Sequence, residues 1–515
     1  MGTSVTDVLI VGAGPTGLTL ACDLARRGVG CRLVERGEGG FPGSRGAGIQ
    51  PRSREVFEDL GILDAVHEDG STFPTMMRWD GPVMLGTTEV VQRNPPTPDR
   101  PYGEIWMLPQ WRTVDILRTR FKELGGHVEH SRELTHSAQN PDHVIARVLR
   151  ADGTDEEIRA AYLVAADGGR STVRESLGLP FERTDLAAPP MLIGDAVIDG
   201  LDPGYWHIWP TAPGGMVTLI PVRGSGAFAM VVQYTRPGEE PDAARDGSTE
   251  ALQQLLRGRT GCDITVREIL FISTLRTRTA VAGRFRTGRV FLAGDAAHIH
   301  PPTGGQGLNT GVQDAYNLGW KLEEVLHRNA PPQLLDTYHA ERQQVAADLL
   351  RRSSGILSRD QEDSRTGWTR RGDDTLQLDL TYRGGPLAID RRPTPADNAL
   401  QAGDRAPDAP CTDASGAPVR LFDIFRGPHF TLLAFGDTPT PRLTGRQVRT
   451  HRIHISHTGP STLRDTDSHA RTAYADTGLF LIRPDGYIAL ATHDPNDVTA
   501  YLSWQHLTAS AAADH

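Results

Sequence analysis

A short apolar run, Asp7 to Gly12 (DVLIVG), leads directly into Gly12-Ala13-Gly14-Pro15-Thr16-Gly17. A helical pattern follows from Pro15 to Arg27, with Leu18, Ala21, Leu24 and Ala25 on one face and Gly28 as a stop. Cys31 to Glu35 (CRLVE) then reads as a second strand. This is a βαβ unit, and each glycine has its own task. Gly12 permits the tight turn, Gly14 lets a pyrophosphate approach the backbone, and Gly17 allows close helix–strand packing. A diphosphate would sit at the positive end of the helix that begins near Pro15. Glu35, 18 residues past Gly17, is placed to accept from ribose hydroxyls and to repel a 2′-phosphate; Arg36 follows it. Taken alone, the motif also fits a glycine-rich turn in any α/β protein.

Two further runs end in acids. Tyr162 to Ala166 stops at Asp167-Gly168, and Val290 to Ala293 stops at Gly294-Asp295. Both read as buried parallel strands that deliver a carboxylate at their carboxyl ends, where open α/β sheets bind ligands. Between them, alternating segments such as Met216 to Ile220 and Ala227 to Val232 predict antiparallel strands of an inserted sheet. Helical patterns return at Leu308 to Leu326 and near Leu334 to Leu357. The expected organisation is therefore a discontinuous first domain (1–178 and 281–358), an inserted sheet domain (179–280), a polar linker (359–399) and a small α/β domain (400–515). Phe430 to Phe435 and Gly478 to Ile482 are the expected strands of that last domain, with Pro484-Asp485-Gly486 as a turn.

With 515 residues the chain has room for two or three domains and a substantial core. A net charge of −10 and the absence of any basic run exclude a nucleic-acid surface. Lysine occurs only at Lys122 and Lys321, and no GxxxxGK[ST] is present, which excludes a P-loop NTPase. The four cysteines (Cys22, Cys31, Cys262, Cys411) form no CxxC and no zinc spacing, so reduced thiols in a cytoplasmic protein are expected. The first strand begins almost at the terminus, so no signal peptide is expected. No apolar run approaches the ~20 residues of a spanning helix, and no membrane association is expected. Met1-Gly2 with Thr6 fits the permissive myristoylation pattern, but Thr6 abuts a strand that must be buried.

Past Asp295, His298-Ile299-His300 invites a metal reading with Asp295 as third ligand. The Pro301-Pro302-Thr303-Gly304-Gly305-Gln306-Gly307-Leu308-Asn309 run that follows suits a loop wrapped around a planar ring better than a rigid coordination cage, so no metal is expected. The helix starting near Leu308 would point its backbone N–H groups at that ring. Asp167-Gly168-Gly169-Arg170-Ser171-Thr172-Val173-Arg174 alone is a plausible strand-to-helix turn capped by Ser171.

Together, the GxGxxG, DGxxSxxR and GDAAHxxPPxGGxGLN segments resemble those of the class A flavoprotein aromatic hydroxylases, from residue 5 to about 345. Gly403-Asp404-Arg405-Ala406-Pro407 and Leu481 to Gly486 resemble the thioredoxin-like domain appended to phenol hydroxylases and actinobacterial aromatic-polyketide hydroxylases; without CxxC its role is expected to be structural. The resemblance implies an α/β fold: a Rossmann-like FAD-binding domain of the p-hydroxybenzoate hydroxylase type, an inserted antiparallel-sheet substrate domain and that C-terminal domain. It implies FAD as cofactor, with NAD(P)H as a transient co-substrate, since no second GxGxxG follows a strand, and O2. A flavin C4a-hydroperoxide would then hydroxylate a small aromatic substrate, by lean a polycyclic polyketide. Arg174 would serve the pyrophosphate and NAD(P)H, Arg45 the pyrophosphate or ring, and Gln110 the ribityl chain. Asp295 would serve the ribityl hydroxyls, Pro302 and Gly305 would flank the ring, and Gly307, Leu308 and Asn309 would present the helix N-terminus to it. A base for a phenolic substrate is open among Tyr205, His207, Tyr234 and Tyr102. Trp206 to Pro210 reads equally as cavity lining or as a packed strand. The expected state is a monomer or homodimer. A halogenase is disfavoured, because no lysine precedes Lys122 and Trp206 to Pro210 has the wrong spacing. Baeyer–Villiger oxygenation, or a catalytically silent FAD-binding carrier, remain the competing readings.

Overall fold

Five parallel strands form the spine of a computed structural model that describes residues 4–39, 43, 46–186, 188–301, 305–362, 372–393, 399–443, 448–455, 459, 461–504 and 507. They are β1 (Ser4–Val11), β2 (Cys31–Val34), β3 (Val128–Glu129), β4 (Asp155–Ala165) and β5 (Val290–Leu292), in spatial order β5-β4-β1-β2-β3. The chain steps outward from β1 in one direction and then returns to fill the other side. The switch point therefore lies at the carboxyl end of β1, where such sheets open a crevice. Val8, Leu9, Ile10, Leu33, Val34 and Leu163 are wholly buried, as expected of parallel strands covered on both faces.

Helix α1 (Pro15–Arg26) leaves the glycine turn, α2 (Pro51–Asp59) lies beyond it, and α3 (Gly307–His327) packs on α1. Helix α4 (Asp336–Glu362) follows α3. Residues Asn309 to Glu323 of α3 are buried all round. A polar group there must find a partner in the protein interior, which makes the partners of Asp314, Asn317 and Lys321 informative.

The antiparallel sheet has seven strands, in order Thr265–Leu275, Met191–Asp199, Ala227–Gln233, Val217–Val222, Trp206–Trp209, Met76–Asp80 and Val83–Thr88. It is therefore not confined to 179–280. Met76–Asp80 joins it in parallel register, Met76 opposite Trp206, and carries Val83–Thr88 as the edge. Met76 gains full burial by crossing into this sheet. Trp206 to Trp209 are 1% exposed or less, which makes this segment a packed strand.

The C-terminal region forms an eight-stranded mixed sheet. Phe430–Phe435 pairs in parallel with Val448–His454 and antiparallel with Gly478–Ile482. The stretch expected as a linker is more than a tether. Leu376, Leu380, Tyr382 and Leu387 are buried, and Ile389–Asp390 adds a strand to the C-terminal sheet. Among the described residues, no helix is long and apolar enough to cross a membrane.

Candidate cofactor and active site

The glycine turn is built as its spacing demands. Gly12 has φ +103°, and a Cβ there would stand 2.3 Å from the Ala166 carbonyl oxygen. A Cβ on Gly17 would stand 2.0 Å from the Gly12 oxygen, so α1 could not hold its place. By contrast, a Cβ on Gly14 would meet nothing within 4 Å: its missing side chain opens space on the cleft side of the turn. Pro15 occupies the first turn of α1, which has no side-chain cap and no acid there. With no side chain capping it, this helix start suits an anion. Gly17→Ala is expected to weaken FAD retention at least about tenfold, equivalent to ~1.4 kcal/mol, read as FAD per chain after gel filtration.

A cleft of about 440 Å³ runs from this turn along the carboxyl ends of β2 and β4. Gly12, Ala13, Gly14, Glu35, Arg36 and Gln110 line it, and Asp167 and Gly168 face them across it. The Glu35 carboxylate accepts from the backbone N–H of Ala13 and of Gly37, each at 2.9 Å, which fixes it beside the turn. Asp167 Oδ2 accepts from Val173 N–H at 3.3 Å, while Oδ1 is buried with no partner, and burial raises the carboxyl's pKa. An open cradle at Gly14, an uncapped helix start and an orphaned carboxylate oxygen suit a diphosphate flanked by hydroxyl donors. The donor set fits FAD.

Arg174 has a different place from the one its motif suggests. It is 2% exposed and donates to the carbonyls of Ala296 and Gly169, each at 2.9 Å, with its guanidinium 3.7 Å over the Phe181 ring. It ties the Asp167-Gly168 loop to the Gly294-Asp295 turn and does not line the cleft. Arg170, in the same motif, does, as do Arg118 and Arg132. Those three were missed because nothing in their spacing marks them.

The third segment closes against the first. Cβ atoms on Gly294 and Gly311 would stand 2.5 and 2.4 Å from Thr16 Oγ1, so Thr16 wedges between the turn and α3. Asp295 is exposed just past β5. Gly305 has φ +63°. Gly307 and Leu308 open α3, which has no side-chain cap and no acid in its first turn. The Asn309 side chain is a clamp: its amide donates to the carbonyls of Gly48 (2.8 Å) and Gly305 (2.6 Å), and its oxygen accepts from Gln50 N–H (2.8 Å). Only its backbone is left to face a ligand. Arg45 and Pro302 lie outside the described residues.

The His-x-His pair belongs to a hydrogen-bond chain that the sequence did not reveal. Asp314, wholly buried on α3, accepts from Gly294 N–H (3.0 Å) and His298 Nε2 (2.6 Å) on one oxygen, and from Arg342 Nε (2.8 Å) on the other. His298 Nδ1 and His300 Nε2 share a hydrogen bond at 3.1 Å, and His300 Nδ1 is buried without a partner. Among the described residues no cluster of three metal-ligating side chains is present.

Burial, with His298 beside it, pushes the His300 pKa down to about 3. Glu341 on α4 is held at about 2: burial alone would raise it, but Arg483 and Lys321 win. Between pH 6.5 and 3 the unfolded chain binds a proton on His300 that the folded chain refuses, so stability falls with acidification. Glu341 has the same sign, its contribution being present above about pH 4.5 and lost toward pH 2. The melting temperature is therefore expected to fall steadily below pH 6.5, with the upper part of that slope flattened in His300→Gln. A melting temperature constant from pH 6.5 to 4.5 would contradict it.

Of the four candidate bases, His207 has no free lone pair. Its Nδ1 accepts from Trp79 Nε1 (3.1 Å) and its Nε2 donates to the Asp202 carbonyl (2.8 Å). Tyr234 donates to Asp246 at 3.0 Å, and burial pushes its phenol up to about 12. Tyr102 lies under the Arg54 guanidinium at 4.5 Å, its phenol raised further by burial. Tyr205 is half-buried at the turn into Trp206. None of the four lines the cleft.

A doubly wound sheet whose first two motif loops line one cleft, with the third packed on the first through Thr16, defines a dinucleotide-binding flavoprotein fold with an added sheet. Residues 5–353 match the FAD binding domain family, and residues 400–510 match the aromatic-ring hydroxylase C-terminal family. The chain is 41% identical to a flavin-dependent monooxygenase of Mycobacteroides abscessus over 504 residues, covering 96% of this chain and 99% of that one. It is 34% identical to the 6-methylpretetramide 4-monooxygenase of Streptomyces rimosus, covering 99% and 96%. Among solved structures it resembles aklavinone-11 hydroxylase in a ternary complex with FAD and aklavinone, at TM-score 0.79 and 28% identity, covering 98% of this chain and 99% of that one. The flavin-dependent monooxygenase PieE, in complex with FAD and substrate, gives TM-score 0.82 at 25% identity with the same coverage. The chain belongs to the FAD-dependent aromatic-ring hydroxylase family of monooxygenases.

Proposed function

We propose that this monooxygenase uses NAD(P)H and O2 to hydroxylate a polycyclic phenolic substrate of polyketide type. The observation that carries the reading is the convergence of Gly14, Glu35 and Asp167 on one cleft, with the Gly294 turn and α3 packed on the glycine turn through Thr16. Bound FAD supplies the redox and oxygen-activating chemistry. Gly14 and the first turn of α1 hold the diphosphate, and Glu35 and Asp167 take hydroxyl donors. The uncapped start of α3 favours negative charge on a ring edge by about 0.3–1 kcal/mol, and up to ~2 when partly buried. Phe271 of the seven-stranded sheet packs against Gly43, just ahead of the Gly48–Gln50 segment that Asn309 clamps. That contact supports reading the sheet as the wall that would keep water from the substrate. The relatives named for 6-methylpretetramide and aklavinone support a fused-ring substrate.

The test uses the FAD-loaded protein with NADPH or NADH, a panel of polycyclic phenols and isotopically labelled O2. Expected are substrate-stimulated NAD(P)H oxidation and a phenol or quinone carrying one labelled oxygen. An ester or lactone product would replace hydroxylation with Baeyer–Villiger oxygenation. No stimulation across the panel would favour a carrier.

A further inference from the structure

We propose that the C-terminal domain sets the geometry of the flavin site through the turn Arg483 to Asp485, with Arg483 and Asp485 as positioning residues. The sequence marks this stretch only as a turn, yet Arg483 and Asp485 are 2% and 1% exposed. Arg483 donates to both carboxylate oxygens of Glu341 on α4, at 2.6 and 3.0 Å, and to Asp485 Oδ1 at 2.8 Å. Asp485 Oδ2 accepts from Asn317 of α3 at 3.2 Å. Lys321, one turn on, donates to Asn317 and Glu341 at 2.8 Å each.

Two routes lead from this knot to the cofactor loop. Glu341 neighbours Arg342, which donates to Asp314 at 2.8 Å and to the Tyr382 hydroxyl at 2.9 Å; Asp314 in turn holds Gly294 N–H. Tyr382 packs on Tyr487, just ahead of the Ile488–Thr492 strand of the C-terminal sheet, ring centroids 4.4 Å apart. On the other side, the Asp485 carbonyl accepts from Arg52 at 2.5 Å. Arg52 stands two residues past Gln50, whose N–H is held by Asn309. Stability alone does not call for this network, since apolar replacements of buried ion pairs are often as stable. What charge pairing adds is a single register of α3 and α4 against the third domain.

FAD-loaded Arg483→Lys and Tyr382→Phe test this; the latter removes one buried hydroxyl and keeps the ring. Each is expected to weaken FAD binding about tenfold and to shift the visible flavin bands. Combining Tyr382→Phe with Asp314→Asn should cost less than the product of the single effects. Unchanged FAD affinity and spectrum in both variants, even with lowered melting temperatures, would show a purely structural contact and overturn the inference. If Arg483→Lys does not fold, Tyr382→Phe decides alone by the same readings. The inference rests on FAD occupying the cleft: a wild-type chain that retains no flavin overturns both, whereas intact variants overturn this one alone.

Discussion

Arg483→Ala is expected to destabilise the protein by about 3–5 kcal/mol. The substitution leaves Glu341 and Asp485, each about 1% exposed in its side chain, as carboxylates in the interior that have lost their main counter-charge. Lys321 remains beside Glu341, but it is buried and its single ammonium reaches only Glu341 of the two, so it is a weak substitute for a two-pronged guanidinium that serves both carboxylates. Loss of most soluble protein, or a sharply lowered melting temperature in thermal denaturation, is the expected readout. A melting curve matching the wild type would mean that the third domain does not depend on this contact.

Asp314→Ala is expected to cost a similar amount, about 3–5 kcal/mol, and also to release FAD. One carboxylate serves three donors: Gly294 N–H, His298 and Arg342. Its removal leaves the wholly buried Arg342 guanidinium without its carboxylate and frees the turn that carries Asp295. Those neighbours hold the Asp314 carboxyl well below the usual carboxylate range, although burial opposes them. Asp314→Asn keeps the shape and one acceptor, so it should fall between wild type and alanine. FAD per chain after gel filtration, measured beside the melting temperature, separates the two effects. Full flavin retention in Asp314→Ala would break the link between this carboxylate and the cofactor loop.

The glycine turn and the two acid-terminated strands were legible in the sequence because backbone geometry there admits few residue types. Gly12 at φ +103° and Gly17 pressed on its oxygen are local demands. Pairings between distant residues were not legible. Met76–Asp80 looks like part of the first domain until its register with Trp206 is known. Spacing placed an arginine at Arg174, but could not say that its guanidinium turns inward to Ala296 while Arg170 lines the cleft. His298 and His300 invited a metal reading because the carboxylate that holds His298, Asp314, lies on the following helix. The polar texture of 359–397 likewise hid the buried Leu380 and Tyr382 within it. In each case the missing information was which side chain meets which, a property of packing.

The absorbance spectrum of the purified chain, with FAD quantified after denaturation, is the decisive experiment. One FAD per chain, retained through gel filtration and lost in Gly17→Ala, is the expected result. A colourless protein that takes up no FAD from excess would mean the cleft beside Gly14 and Asp167 holds something else.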